Sequence, residues 1–133
     1  MGESTKHVEL IKLMEELIIF NEKINPALLL LDEPSNRKNS PPTINGFKPD
    51  IYYDFDGVLV IGEAKTKDDI VNEHTRRQLE TYIKLCSNFK GRSCLYIAVP
   101  WTESILVNNI VKNIMKKLKT FITYHVVDEL KKL

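Results

Sequence analysis

Residues 48–65 read KPDIYYDFDGVLVIGEAK, and this stretch decides the fold. Two segments rich in β-branched and aromatic residues, 48–55 and 58–64, flank the dipeptide Asp56-Gly57. An Asp-Gly pair between apolar runs is the strongest short-range signal for a β-hairpin, because both central residues of a type I′ turn need positive φ. The sequence therefore predicts two antiparallel strands joined by a two-residue turn.

A two-residue turn also determines which residues of the two strands face each other. If Phe55 pairs with Val58, the pairing places Asp50 directly opposite Glu63, with Cβ atoms about 4.5–5.5 Å apart. Lys65 lies two residues beyond Glu63 and projects from the same face. The hairpin is thus predicted to gather two carboxylates and one ammonium group at its open end. A bulge would break this pairing without necessarily moving the site.

The rest of the chain predicts a single α/β domain, residues 1–133, with a mixed central sheet flanked by helices. The predicted order is α-β-β-β-α-β-α-β. A helix over 5–23, capped by Ser4 or Thr5, and a strand over 27–31 precede the hairpin. After the hairpin come a helix over 66–87 opened by a Thr66–Asp69 capping box, a strand over 94–99, a helix from Thr102 or Glu103, and a strand over 121–127. Val71 is predicted to face inward in the second helix. The third helix is predicted to bury Ile105, Leu106, Ile110, Ile114 and Leu118. Residues 35–46, rich in Pro, Ser and Asn, predict a mobile loop.

Composition narrows the class of protein. The chain has two cysteines without a CxxC spacing and no clustered histidines, which argues against a zinc or iron–sulfur site and fits a reducing cytoplasm. No apolar run reaches the roughly 20 residues that span a bilayer, so we expect a soluble cytoplasmic protein. Net charge is +1, but residues 49–89 hold five basic and eight acidic side chains, whereas residues 90–133 hold eight basic and three acidic. An acidic centre beside a basic segment suits a metal site next to a phosphate-binding surface, and ordinary solvated faces explain it equally well.

Two carboxylates opposed across a strand pair repel each other and need a compensating cation. Mg²⁺ is the natural choice, because it is held by carboxylates together with substrate phosphate. Such an ion polarises a phosphate and makes hydroxide available near neutral pH. Lys65 has three available roles: it can orient the attacking water, act as its base, or stabilise the charge that develops on phosphorus oxygens.

The arrangement Pro49-Asp50, twelve intervening residues and Glu63-Ala64-Lys65 resembles the signature of the PD-(D/E)XK nuclease superfamily. The helix, three strands, helix and strand predicted over residues 8–99 are similar to the core that this superfamily shares. The resemblance implies that Asp50 and Glu63 bind Mg²⁺, or Mn²⁺ as a substitute, together with the Ala64 carbonyl. It implies that Lys65 is the catalytic lysine. The expected fold is therefore a restriction-endonuclease-like core.

The second helix contains HTRRQLETY, residues 74–82, in which Tyr82 follows Gln78 by four positions. This Gln-xxx-Tyr spacing resembles the nuclease domains of RecB-like enzymes and type I restriction subunits, where the glutamine helps hold the site and DNA. The resemblance implies that Gln78 belongs to the catalytic site. Arg76 and Arg77 are predicted phosphate contacts because of their charge. His74 and Tyr82 are predicted neighbours of the nucleic acid.

The first helix offers a further carboxylate in many members of this superfamily. Glu9 is the candidate here, and the alternative interpretation is a solvated helix glutamate. His7 and His125 are predicted to be structural or surface residues.

The sequence predicts a Mg²⁺-dependent nuclease that hydrolyses DNA phosphodiester bonds, with endo- or exonucleolytic mode left open. The alternative is a non-catalytic nucleic-acid-binding or assembly module that keeps the nuclease fold. The iron–sulfur cysteines of some RecB-like exonucleases are missing, which argues against that subgroup. The sequence has no helicase segment, so a restriction-type domain would act alone or with separate helicase or specificity partners. Cutting both strands suits a homodimer.

Overall fold

The computed structural model describes residues 5–32 and 40–130. It contains three helices, α1 (Thr5–Glu22), α2 (Glu73–Asn88) and α3 (Ser104–Leu118), and five strands, β1 (Leu30–Leu31), β2 (Ile51–Phe55), β3 (Val58–Ala64), β4 (Arg92–Ala98) and β5 (Tyr124–Val127). Short 3₁₀ turns cover Pro26–Leu28, Lys67–Asp69 and Trp101–Glu103. The predicted order of helices and strands is confirmed.

The five strands form one open sheet in the order β1-β2-β3-β4-β5. The β1–β2 and β2–β3 pairs are antiparallel, whereas the β3–β4 and β4–β5 pairs are parallel. Helix α1 covers one face of the sheet, while α2 and α3 cover the other, so each face has its own apolar core. The predicted α/β class with a mixed sheet between helices is confirmed.

The hairpin has the predicted turn and the predicted register over its strands. Asp56 and Gly57 adopt φ of 53° and 76°, and the ladder runs from Phe55↔Val58 to Ile51↔Gly62. Asp50 departs from the regular pattern. Its amide donates to the Gly62 carbonyl at 3.0 Å. In a regular antiparallel ladder, that carbonyl would accept the amide of Ile51, the residue paired with Gly62. The shift of the donor by one residue indicates a β-bulge at Asp50. The predicted direct pairing of Asp50 with Glu63 is therefore not part of the ladder.

Helix α1 approaches the sheet most closely at Gly62. A Cβ atom at this position would lie 3.0 Å from the Met14 Sδ atom and 3.0 Å from the Ile51 Cβ atom. Because such contacts are tighter than ordinary packing, glycine is the residue that lets α1 sit against β3. This close approach brings the first turn of α1 to the end of β3 where Glu63 lies.

Helix α2 begins later than the sequence predicts. Thr66 and Asp69 do form a side-chain hydrogen bond of 3.0 Å, but within the 3₁₀ turn Lys67–Asp69. Asn72 caps α2 instead, because its side chain accepts the Thr75 amide at 2.7 Å. Val71, predicted to face inward, lies before the helix and is 73% exposed.

Other boundaries also move. Helix α3 buries Val107, Val111, Ile114 and Met115, whereas Ile105, predicted as buried, is 79% exposed. The predicted strand over 27–31 shortens to β1 because Pro26–Leu28 form a 3₁₀ turn. The predicted strands over 94–99 and 121–127 correspond to β4 and β5. Ser4 and residues 35–39 of the predicted loop lie outside the described residues. Over the ranges that the structure covers, no helix has the length and apolar character needed to cross a membrane.

Candidate active site

Asp50 and Glu63 meet where β3 ends, and both are buried. The bulge turns the Asp50 carboxylate toward β3, where its Oδ2 atom accepts the Ala64 amide at 2.8 Å. This side-chain hydrogen bond links Asp50 to β3 beyond the last backbone pair of the ladder, Ile51 with Gly62. The Lys65 Nζ atom lies 3.8 Å from Glu63 Oε2. The structure thus brings together the three residues that the hairpin argument predicted.

Helix α2 supports Glu63 from the other side. The Tyr82 hydroxyl donates to Glu63 Oε1 at 3.1 Å, and the Gln78 Nε2 group donates to the Tyr82 oxygen at 3.3 Å. Gln78 is therefore linked to Glu63 through one intervening side chain, and its predicted catalytic role stays a prediction. Tyr82 is 0% exposed, so it lies behind Glu63 rather than on the surface where a nucleic acid would contact it.

Helix α1 supplies a residue that the sequence argument assigned elsewhere. The His7 Nε2 atom lies 3.1 Å from the Ala64 carbonyl oxygen and 3.4 Å from Asp50 Oδ2. When Nε2 carries the proton, it donates to the carbonyl and faces the carboxylate. The sequence predicted a structural or surface role for His7, and the structure places its ring against Asp50 and the Ala64 carbonyl, two of the four predicted metal ligands. The one usable signal was a histidine two positions before Glu9 on the helix expected to complete the site.

The electrostatics of the site favour a bound cation. Burial raises the pKa of Glu63 well above its usual range, and the neighbouring Asp50 carboxylate raises it further. Lys65 and the Tyr82 hydroxyl act in the opposite direction without cancelling these effects. Burial and the Glu63 charge also raise the pKa of Tyr82, so its hydroxyl stays protonated as a donor. A divalent cation would remove the repulsion between the two carboxylates.

The remaining predicted residues lie on the surface. His74, Arg76 and Arg77 are exposed on the first turns of α2, and the His74 ring contacts Phe47 edge-on at 5.3 Å between centroids. Glu9 is exposed and lies about 200° around α1 from His7, since each helical residue advances the side chain by about 100°. The structure does not bring Glu9 to Asp50 and Glu63 as it brings His7, and the metal-binding role of Glu9 stays a prediction.

No family model, curated protein or solved structure matches this chain. The assignment of the site therefore depends on its residues and their contacts. The two buried carboxylates and the Ala64 carbonyl are oxygen donors of the kind that a hard divalent cation prefers, and the His7 ring lies beside Asp50 and Ala64. Burial, followed by the nearby Asp50 carboxylate, raises the pKa of Glu63, and a bound cation would act in the opposite direction.

A second cluster of ligand-type atoms lies on the α1 face of the sheet. Ligand atoms of Glu22, Cys94 and His125 fall within 4.8 Å of one another. The Glu22 carboxylate, however, is already engaged, because it pairs with Arg92 and accepts the Tyr96 hydroxyl at 2.6 Å. Burial also raises the pKa of Cys94, which keeps it a neutral thiol. The Glu22 carboxylate is better explained as the partner of Arg92 and Tyr96, in a part-buried ion pair that joins the end of α1 to β4.

Proposed function

We propose that this chain is a Mg²⁺-dependent nuclease that hydrolyses DNA at the site formed by Asp50, Glu63 and Lys65. One observation carries the proposal: two buried carboxylates, a strand carbonyl and a lysine converge at the bulged end of the hairpin. The alternative is a structural role in which Glu63 stays protonated beside Asp50, because burial and Asp50 raise its pKa. The resemblance to the PD-(D/E)XK superfamily, and with it the restriction-endonuclease-like core, belongs to the same proposal.

Asp50, Glu63 and the Ala64 carbonyl would hold the metal, with His7 as a fourth donor. His7 already contacts Asp50 and Ala64, so it needs little movement to contribute its ring nitrogen. When bound, the cation polarises the scissile phosphate and lowers the pKa of a nearby water. Mn²⁺ accepts the same oxygen and nitrogen donors and would substitute.

The chain's own residues perform the remaining tasks. The Lys65 side chain is 12% exposed and its ammonium lies 3.8 Å from Glu63 Oε2, so a phosphate bound at the carboxylates would come within its reach. There it would stabilise the charge that develops during attack, or orient the attacking water. Tyr82 and Gln78 hold the Glu63 carboxylate in place from behind. Arg76 and Arg77 would bind backbone phosphates, and a homodimer or separate helicase and specificity partners stay predictions.

The proposal is tested by incubating labelled linear duplex, single-stranded, supercoiled and four-way-junction DNA with the protein in Mg²⁺, Mn²⁺ or EDTA. We expect cleavage only with a metal, and a loss of about 100-fold or more in Lys65→Ala. Asp54→Asn and Lys84→Ala are matched controls, because they change an exposed carboxylate on β2 and an exposed lysine on α2. Cleavage that survives both EDTA and Lys65→Ala would sink the mechanism. Binding without cleavage in any metal would favour the non-catalytic module.

A measurement of metal binding separates the site from its chemistry. A ligand at 100 times its dissociation constant stabilises a folded protein by about 2.7 kcal/mol. We therefore expect Mg²⁺ or Mn²⁺ to raise the melting temperature of the wild type and of Asp54→Asn by about 10 °C. Asp50→Asn should abolish the shift, and His7→Ala should reduce it. Equal shifts in all four proteins would mean that the metal binds elsewhere.

A further inference from the structure

Trp101 lies at the same end of the sheet as the candidate site. Strands β3 and β4 are parallel with Ala64 paired to Ala98, and the Lys65 amide donates to the Ala98 carbonyl at 2.9 Å. Trp101 follows Ala98 by three residues, which limits the separation of their Cα atoms to about 11 Å. The turn that begins with Trp101 therefore lies at the end of the sheet where β3 carries Glu63 and where Lys65 follows it.

This turn is tied to the helix that brings His7 into the site. The Trp101 amide donates to Glu129 Oε1 at 2.9 Å, and Glu129 Oε2 pairs with the Lys6 Nζ atom at 3.2 Å. Lys6 immediately precedes His7 on α1. The backbone of Trp101 is thus joined to α1 through Glu129, while Trp101 itself is 55% exposed.

An anchored backbone beneath an exposed indole is the arrangement that a stacking surface requires. Every nucleobase has a π face, so an exposed aromatic ring binds an unpaired base with little regard to sequence. In a continuous duplex both faces of a base are covered by its neighbours, and such a ring finds no partner. The cations Lys6, Lys65 and Lys67 lie on the elements around this end of the sheet, where a strand's phosphates would pass.

We propose that Trp101 is a base-stacking platform, on which an unpaired base of the nucleic-acid strand rests while its backbone lies across the carboxylate site. This inference rests on the proposed nuclease function and adds the class of substrate: strands with unpaired bases beside the cleavage point, such as single-stranded ends, flaps or junctions. Trp101 acts by positioning the strand, and it takes no part in the chemistry.

The chain has a single tryptophan, so its intrinsic fluorescence reports on this residue alone. The probes are a labelled 12-nucleotide oligothymidylate and a blunt hairpin duplex, in Ca²⁺, with oligonucleotide integrity checked on a gel. We expect oligothymidylate to quench the fluorescence. Anisotropy should show binding weaker by about 5-fold to 150-fold in Trp101→Ala, the range for loss of one stacked base. Trp101→Phe should stay within about threefold of the wild type.

Phe20→Ala is the matched control, because Phe20 is a comparably exposed aromatic near the other end of α1. It should bind oligothymidylate like the wild type, and the hairpin duplex should bind Trp101→Ala and wild type equally. Absence of quenching together with unchanged affinity in Trp101→Ala would overturn the platform. If the wild type cleaves DNA in that case, the nuclease proposal stands and the base-stacking role of Trp101 falls. If Trp101→Ala binds weakly but no metal supports cleavage by the wild type, the platform stands and the nuclease proposal falls.

Discussion

Tyr82→Phe removes one oxygen atom from the centre of the candidate site and leaves the packing shape of the ring. The side chain is 0% exposed, and its hydroxyl is the donor that holds Glu63 Oε1 at 3.1 Å. The same oxygen accepts the Gln78 amide, so the substitution also leaves that group without its acceptor. Both losses fall on the residues proposed to fix the metal-binding carboxylate.

The expected size follows from these contacts. A hydrogen bond to a charged group contributes about 1.5–3 kcal/mol. For a chain of this length, that loss lowers the melting temperature by about 5–10 °C. Residues that orient a metal ligand typically change metal affinity or activity by about 10-fold to 100-fold, and we expect a loss of nuclease activity in that range.

Tyr96→Phe provides a close control on the opposite face of the sheet. Tyr96 is also 0% exposed, and its hydroxyl also donates to a buried glutamate, Glu22, at 2.6 Å. Urea unfolding at pH 8 should show a similar loss of stability in both variants with unchanged m-values. Only Tyr82→Phe should lose activity and part of the metal-induced stabilisation. Equal activity losses in the two variants, or full activity in Tyr82→Phe, would refute the assignment of Tyr82 to the site.

Three further substitutions test the electrostatics and the framework. Because burial and Asp50 raise the pKa of Glu63 in the folded chain, its ionisation destabilises the fold as pH rises above about 4.5. In EDTA at pH 8, the melting temperature of Glu63→Gln should therefore be higher than that of the wild type, and the difference should vanish near pH 4. A lower melting temperature of Glu63→Gln at pH 8 would contradict this reasoning. Gly62→Ala should cost about 1–3 kcal/mol in urea unfolding, since the new methyl meets Met14, and an unchanged midpoint would argue against the close approach of α1. Asn72→Ala should cost about 1 kcal/mol by removing the cap of α2, and circular dichroism should show the loss as a lower urea midpoint.

The hairpin was predictable because its information is local. The Asp56-Gly57 turn and the strands beside it are contiguous, and turn chemistry alone determines their register as far as Ile51. The bulge at Asp50 was not predictable in the same way, since it depends on a side chain replacing a backbone acceptor for the Ala64 amide. The Asp50 backbone leaves the regular ladder, but its side chain bonds to the Ala64 amide, so the carboxylates of Asp50 and Glu63 still lie close together.

Helix positions were less predictable where several residues compete for one role. Thr66 and Asn72 both offer an N-cap, and only the packed structure shows that Asn72 opens α2. The segment that starts α3, SILV, is apolar at several consecutive positions, so its periodicity leaves open whether Ile105 or Val107 faces the core. His7 is the hardest case, because it meets Ala64 across 57 positions of sequence and only the docking of α1 brings them together.

The first described turn of α1 couples the candidate site to the docking of the helix. His7 lies in the first described turn of α1, and its ring contacts Ala64 and Asp50 only while this turn is docked on the sheet. If His7 is a metal donor, the ion binds fully only to molecules in which this turn is docked. The apparent dissociation constant then equals the intrinsic constant divided by the docked fraction. Metal affinity then becomes a measure of helix docking, and any partner that binds the beginning of α1 would change that affinity without touching a carboxylate.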